Sequence, residues 1–141
     1  MKIETIKEEL IDEFSMFEDW MERYEYMIEL GKSLAIINEK HKTEDNIIKG
    51  CQSKVWLRAE QQDGRVYFWA DSDAIITKGI VSVLIRAFSG LSAQDIVNAP
   101  TDFIKEIGLN DHLSPTRANG LVSMIKQMKL YATAFAAQNN A

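Results

Sequence analysis

Along the chain the apolar positions recur first at helical spacing, then at strand spacing, then at helical spacing again. Ile6, Leu10, Phe14 and Phe17 fall on one face, which predicts a helix over roughly Thr5 to Phe14. Thr5 with Glu8 has the form of a capping box. A second helix starts near Ser15 or Asp19 and places Trp20, Tyr24, Met27 and Ile28 on one stripe. Gly31, with Lys32 beside it, reads as its C-terminal end. Leu34, Ile36 and Ile37 form a short apolar patch before a polar loop from Asn38 to Asn46.

The period changes to two after Cys51. Ser53, Val55, Leu57 and Ala59 alternate with Lys54, Trp56, Arg58 and Glu60, the pattern of a half-buried strand. Asp63-Gly64 is a hairpin turn signal, and Arg65 to Ala70 is β-branched and aromatic enough to be the returning strand. Ile47-Ile48 reads as a very short third strand, and Trp56 and Trp69 as cross-strand neighbours. Asp71-Ser72-Asp73 are helix-capping residue types. They precede a helix over Ala74 to Phe88, whose wide apolar face makes it the central core helix. Ser92 to Val97 and Thr101 to Ile107 read as short helices. Ser114-Pro115 opens the last helix, which runs to about Ala137. This order predicts an α+β domain: a small antiparallel sheet packed against several helices.

Composition narrows the picture. With 141 residues, of which 46% are hydrophobic and 26% charged, the chain is expected to form one domain over residues 1–141. The net charge of -5 argues against nucleic acid as a partner, which would want a basic face. No apolar run is long enough to cross a membrane. The stretch Met1 to Thr5 has no apolar signal core, and a single cysteine fits a reducing compartment. A cytoplasmic location is expected. Oligomeric state is left open.

Candidate chemistry centres on Cys51, the sole cysteine. A lone cysteine is most often a small buried hydrophobe. Cys51, however, follows a glycine at a loop-to-strand junction, between Lys49 and Lys54, and positive charge favours the reactive thiolate. One cysteine does not build a cluster or zinc site by itself. His41 and His112 lie in polar loops and read as solvated. Asp71 and Asp73 read as paired acids or, more simply, as helix caps. Arg117 falls in the first turn of the last helix, where a cation opposes the helix dipole. A partner contact, or a surface pair with Asp111, accounts for it.

Several stretches together resemble one family. They are Trp20 to Gly31, Ile48-Lys49-Gly50-Cys51-Gln52-Ser53-Lys54-Val55-Trp56, Asp71-Ser72-Asp73-Ala74 with Lys78-Gly79, and His112-Leu113-Ser114-Pro115-Thr116-Arg117 with Asn119-Gly120-Leu121. In this order they resemble the SufE/CsdE family of sulfur-acceptor proteins over nearly the whole chain. The family usually carries a proline where Lys49 stands. The resemblance implies a fold similar to the IscU-type scaffolds and an accessory protein of sulfur transfer rather than a stand-alone enzyme. It implies that Cys51 accepts sulfane sulfur from a cysteine desulfurase of SufS or CsdA type and delivers it toward iron-sulfur cluster assembly. The pyridoxal phosphate belongs to that partner, and no cofactor or metal is expected on this chain. The downstream partner is a cluster scaffold or another sulfur acceptor. The partner surface is expected to include Gln52, Ser53, Asp71, Asp73 and Arg117. A buried resting thiol that swings out on docking would protect the persulfide. Three other readings stay open: a regulatory module of the desulfurase that needs no thiol, a CsdE-type carrier feeding another pathway, and a redox sensor pairing Cys51 between chains.

Overall fold

Two helices joined at an elbow lead into the fold. The computed structural model describes residues 2–17, 19–33, 36–48, 54–101, 104 and 115–139, except the side chains of 2–4 and 115–117. Helix α1 (Lys2–Ser15) starts before Thr5, so Thr5 lies within the helix rather than at its N-cap; Lys2, Ile3 and Glu4 are all compatible with helix and nothing there stops it. Helix α2 (Trp20–Lys32) is capped by Asp19, whose carboxylate accepts the Glu22 N–H at 2.9 Å. The elbow is braced from inside. Phe17 lies against Tyr26 with ring centroids 5.0 Å apart, and Arg23 Nε donates to the Phe17 carbonyl at 3.1 Å.

The chain then forms a hairpin. Strand β1 (Val55–Gln62) pairs antiparallel with β2 (Arg65–Ser72), in a register that sets Val55 opposite Ser72. Asp63 (φ 53°) and Gly64 (φ 79°) both take left-handed backbone, the geometry that Asp-Gly supplies in a two-residue hairpin. Helix α3 (Ile75–Phe88) has ten of its fourteen residues buried, which makes it the core helix as its apolar face predicted. Strand β3 (Leu91–Ser92) returns to pair with Arg65 and Val66. Ser92 then caps helix α4 (Ala93–Asn98) by accepting the Asp95 N–H at 3.1 Å. Helix α5 (Pro115–Asn139) buries Leu121, Met124, Met128 and Ala132. The short helix expected over Thr101 to Ile107 falls largely outside the described residues.

The sheet has the order β1-β2-β3. Val55, Leu57, Val66, Phe68 and Ala70 are buried on its inner face, with α3 and α5 among the elements packed against the hairpin. Each of the buried valine, leucine and phenylalanine side chains among these contributes about 1.5–3 kcal/mol. The fold is therefore α+β, as the alternation of periods predicted. The third strand is not the expected one, however. Two residues at Leu91–Ser92 show no period, whereas Ile47 makes only a single bridge to Trp56. Trp56 stands opposite Asp71, and Trp69 opposite Arg58, so the two indoles are diagonal on one face rather than directly paired.

Three contacts hold the helices in place. Gly31 and Gly79 meet where α2 crosses α3. A Cβ on Gly79 would lie 2.6 Å from the Met27 carbonyl oxygen, so no side chain fits. Gly31 is inside its helix; Ser33 is the C-cap, its N–H donating to the Leu30 carbonyl at 3.0 Å. Glu13 accepts hydrogen bonds from Tyr26 and Arg86 and so ties α1, α2 and α3 together. Lys129 Nζ donates to the carbonyls of Ile96, Val97 and Ala99 at 3.0, 3.2 and 2.7 Å. It thereby satisfies the carbonyls that the end of α4 leaves free.

Candidate functional site

The outer face of the hairpin carries Trp56, Arg58 and Glu60 from β1 and Tyr67, Trp69 and Asp71 from β2. The segment from Ile36 to Ile48 straps across it. Ile37 N–H donates to the Ala70 carbonyl at 3.1 Å, on the edge of β2 beyond its short pairing with β3. On the free edge of β1, Ile47 bridges Trp56 and Ile48 N–H donates to the Val55 carbonyl at 2.9 Å. Between these anchors lie two short 3₁₀ turns, Glu39–His41 and Glu44–Asn46. The Asn38 carboxamide oxygen accepts the Lys40 N–H at 3.1 Å, and Asn46 Nδ2 donates to the His41 carbonyl at 2.6 Å.

Lys42 pins the strap to the sheet. Its ammonium reaches Asp71 Oδ2 at 2.7 Å and Glu39 Oε1 at 2.9 Å, and lies 5.4 Å from the Trp56 ring centroid. Lys78, in the first turn of α3, reaches Asp71 Oδ1 at 3.3 Å. Burial pushes the Asp71 carboxyl up, but Lys42, the Ser72 N–H and Lys78 outweigh it and hold it below its ordinary value. Lys42 is raised, first by Asp71 and then by Glu39. Both side chains are largely shielded, with 18% and 13% of their surface exposed, so water screens this pair less than a surface one.

Just beside this pair the strap and β1 converge. Ile48 and Lys54 flank residues 49–53, and both are held at the start of the hairpin. Lys54 N–H donates to Asp73 Oδ1 at 3.1 Å. The Lys54 carbonyl accepts from Ser72 Oγ at 2.8 Å and from the Asp73 N–H at 3.3 Å. Cys51, Gln52 and Ser53 themselves lie outside the described residues, as does His112.

Asp71 and Asp73 lie at the flanks of the cysteine segment, in a different role from capping. The α3 N-cap is Ala74, with no side-chain cap bond. The reason is that β2 extends to Ser72, so Asp71 and Ser72 belong to the ladder, and Asp73 is drawn to Lys54. Arg117 is in the first turn of α5, as predicted; its side chain is outside the described residues. Lys42 was not singled out by the sequence. The strand alternation places Trp56 and Asp71 on one face, but no one-dimensional pattern carries Lys42 over to them. His41, expected to be solvated, is half-buried beside Arg58. Among the described residues no group of three or more His, Cys, Asp or Glu side chains is placed to hold a metal, and no helix is long and apolar enough to cross a membrane.

Comparison with known proteins fits this architecture. A protein of Rhizobium meliloti (strain 1021), described as an uncharacterized SufE-like protein, is 40% identical over 130 residues, covering 89% of this chain and 93% of that one. An uncharacterized SufE-like protein of Synechocystis sp. is 38% identical over 126 residues, covering 89% and 79%. In fold, the chain resembles the solution structure of a hypothetical protein from Thermus thermophilus, with a TM-score of 0.77 at 17% identity over 92% of this chain and 94% of that one. The family model for SufE, an Fe-S metabolism associated domain, matches residues 8–132. These matches support a sulfur-transfer role tied to Fe-S metabolism. The chain belongs to the SufE family.

Proposed function

We propose that this protein is a sulfur acceptor and carrier, with Cys51 as the acceptor. A pyridoxal-phosphate cysteine desulfurase holds a persulfide on its own cysteine. The Cys51 thiolate attacks the terminal sulfur, the sulfur–sulfur bond of the donor breaks, and the desulfurase thiolate leaves. Cys51 then carries the persulfide, the donor is regenerated, and the sulfur passes on toward iron-sulfur cluster assembly. The observation that carries this reading is a sole cysteine lying inside a SufE domain that spans most of the chain.

The geometry around the segment supports it. Both flanks of residues 49–53 are fixed to the rigid hairpin, by Ile48 at Val55 and by Lys54 at Asp73. These two attachments frame the segment that bears Cys51. Asp71 and Asp73 are engaged within the chain, so we assign them to holding this frame and leave direct partner contact to Gln52, Ser53 and Arg117.

The test is the rate of alanine release by a cysteine desulfurase, of SufS or CsdA type, with and without this protein. Addition of the protein is expected to stimulate the rate, and Cys51→Ser to abolish the stimulation while leaving the thermal unfolding curve unchanged. Full stimulation by Cys51→Ser would overturn the carrier reading and leave a regulatory docking module. Arg117→Ala is expected to raise the concentration of this protein needed for half-maximal stimulation.

A further inference from the structure

The strap leaves a second feature on the outer face of the sheet, away from the cysteine flanks. Between the 39–41 turn and the hairpin lies a cleft of about 380 Å³, lined among others by Ile36, Lys40, His41, Arg58, Glu60 and Trp69. That is within the size range of small-molecule sites, roughly 300–1,000 Å³. Its charge runs against that of the chain. The protein carries a net charge of -5, yet two fixed cations and a histidine meet one carboxylate here.

These cations are not consumed by the fold. Among the described residues Arg58 makes one side-chain contact, Nη2 to Glu60 Oε1 at 3.1 Å, which leaves most of its planar fork of donors unused there. Among the described residues, the Lys40 ammonium and the His41 imidazole have no hydrogen-bond or ion-pair partner; the 39–41 turn is held by main-chain and Asn38 contacts instead. Glu39, from the same turn, points to Lys42. The cleft also has apolar lining. Trp69 is half-buried, and Ile36 is 51% exposed although its backbone is fixed at Ala70.

We propose that this cleft binds a small organic oxyanion, with Arg58, Lys40 and His41 holding the anionic group and Trp69 and Ile36 contacting an apolar, flat body. A guanidinium fork suits a two-oxygen face of a carboxylate, phosphate or sulfonate. An indole beside it favours a ring over a bare ion. The inference goes beyond the sulfur-acceptor reading and does not depend on Cys51.

Proton linkage gives the proposal a signature. Loss of hydration pushes the His41 imidazole below its ordinary range, the Arg58 and Lys40 cations push it the same way, and Glu60 opposes them. A bound anion offsets the two cations and so raises the His41 pKa. Binding therefore takes up a proton, and affinity for an anion of constant charge rises as pH falls through the His41 range.

The experiment is a nuclear magnetic resonance titration of the full chain with benzenesulfonate, whose charge is constant across the range in which histidine titrates. The Trp69 indole and His41 imidazole resonances are expected to move together and saturate, with tighter binding at the lower pH. Arg58→Gln is expected to weaken binding about tenfold through the loss of a charge-assisted contact. Glu60→Gln, which frees Arg58 and removes the competing carboxylate, is expected to strengthen it about threefold. His41→Gln is expected to bind but to lose the pH dependence. Inorganic sulfate is expected to bind more weakly than benzenesulfonate. No saturable shift, or unchanged affinity in both Arg58→Gln and Glu60→Gln, would overturn the site. Equal affinity for the two anions would overturn the apolar half of it.

Discussion

Replacing Gly79 with alanine tests the helix crossing on which the site is mounted. The added Cβ would sit 2.6 Å from the Met27 carbonyl oxygen and 2.9 Å from its carbon. A carbon–oxygen contact of this kind relaxes to about 3.3 Å or more, so α2 must retreat by roughly 0.7 Å over the contact. The obstacle is main chain, which has no rotamer to turn aside. Overpacking of a core costs about 1–3 kcal/mol and occasionally more, whereas alanine in place of glycine in a helix returns about 1 kcal/mol. With a backbone clash at the top of that range, the net loss is about 2 kcal/mol. Gly31→Ala is the internal control, since its Cβ would lie 3.3 Å from the Gly79 nitrogen. There the helix-propensity gain and the tight contact nearly cancel, so stability stays within about 0.5 kcal/mol of the parent. Urea unfolding followed by tryptophan fluorescence measures both, with the midpoint shifted and the slope unchanged. A Gly79→Ala protein as stable as the parent, or less affected than Gly31→Ala, would show that the crossing does not depend on the bare glycine at 79. The contact also bears on the site, because Gly79 follows Lys78, which holds Asp71 from the α3 side.

Other perturbations follow from single contacts. Arg86 holds the Glu13 carboxyl below its ordinary value near 4.5, against the effect of burial and with help from Tyr26. The unfolded chain thus binds more protons in that window, and the stability this group contributes is full above the ordinary value and lost as pH falls through the folded one. Glu13→Gln should cost about 1.5–3 kcal/mol at neutral pH and give a shallower acid limb in stability measured against pH; an unchanged limb would contradict the role. Lys129→Met strips three carbonyls of their donor at the end of α4 and should lower stability by about 2 kcal/mol, read by thermal unfolding. Lys42→Met and Asp71→Asn, combined in a double-mutant cycle of unfolding free energies, should show a coupling of about 1 kcal/mol. A coupling of zero would mean that Lys42 does not pin the strap through Asp71.

Much of this was legible in the chain. The switch from helical to strand period, the Asp63-Gly64 turn and the apolar face of Ile75–Phe88 are local signals, and the structure follows each of them. What the chain hid were contacts between distant residues. Gly31 at the end of an apolar stripe looks the same whether it stops a helix or lets another helix approach. Asp71-Ser72-Asp73 has the residue types of a cap, yet the ladder with β1 reaches as far as Ser72, Asp71 is committed to salt bridges with Lys42 and Lys78, and Asp73 to the Lys54 N–H. Leu91–Ser92 is too short to show alternation. Lys42 and His41 sit in a polar loop whose sequence gives no sign that it crosses a sheet. For the site, Cys51 stood out by being alone, whereas the frame around it emerged only from the pairing of Ile48 with Val55 and of Lys54 with Asp73.

The most direct measurement is the intact mass of the protein after incubation with a cysteine desulfurase and L-cysteine, followed by the same measurement on Cys51→Ser. The expected result is a gain of one sulfur atom in the parent, removed by reductant and absent from the variant. No gain in the parent with an active desulfurase of either type, or an equal gain in Cys51→Ser, would contradict the claim that this thiol is the acceptor.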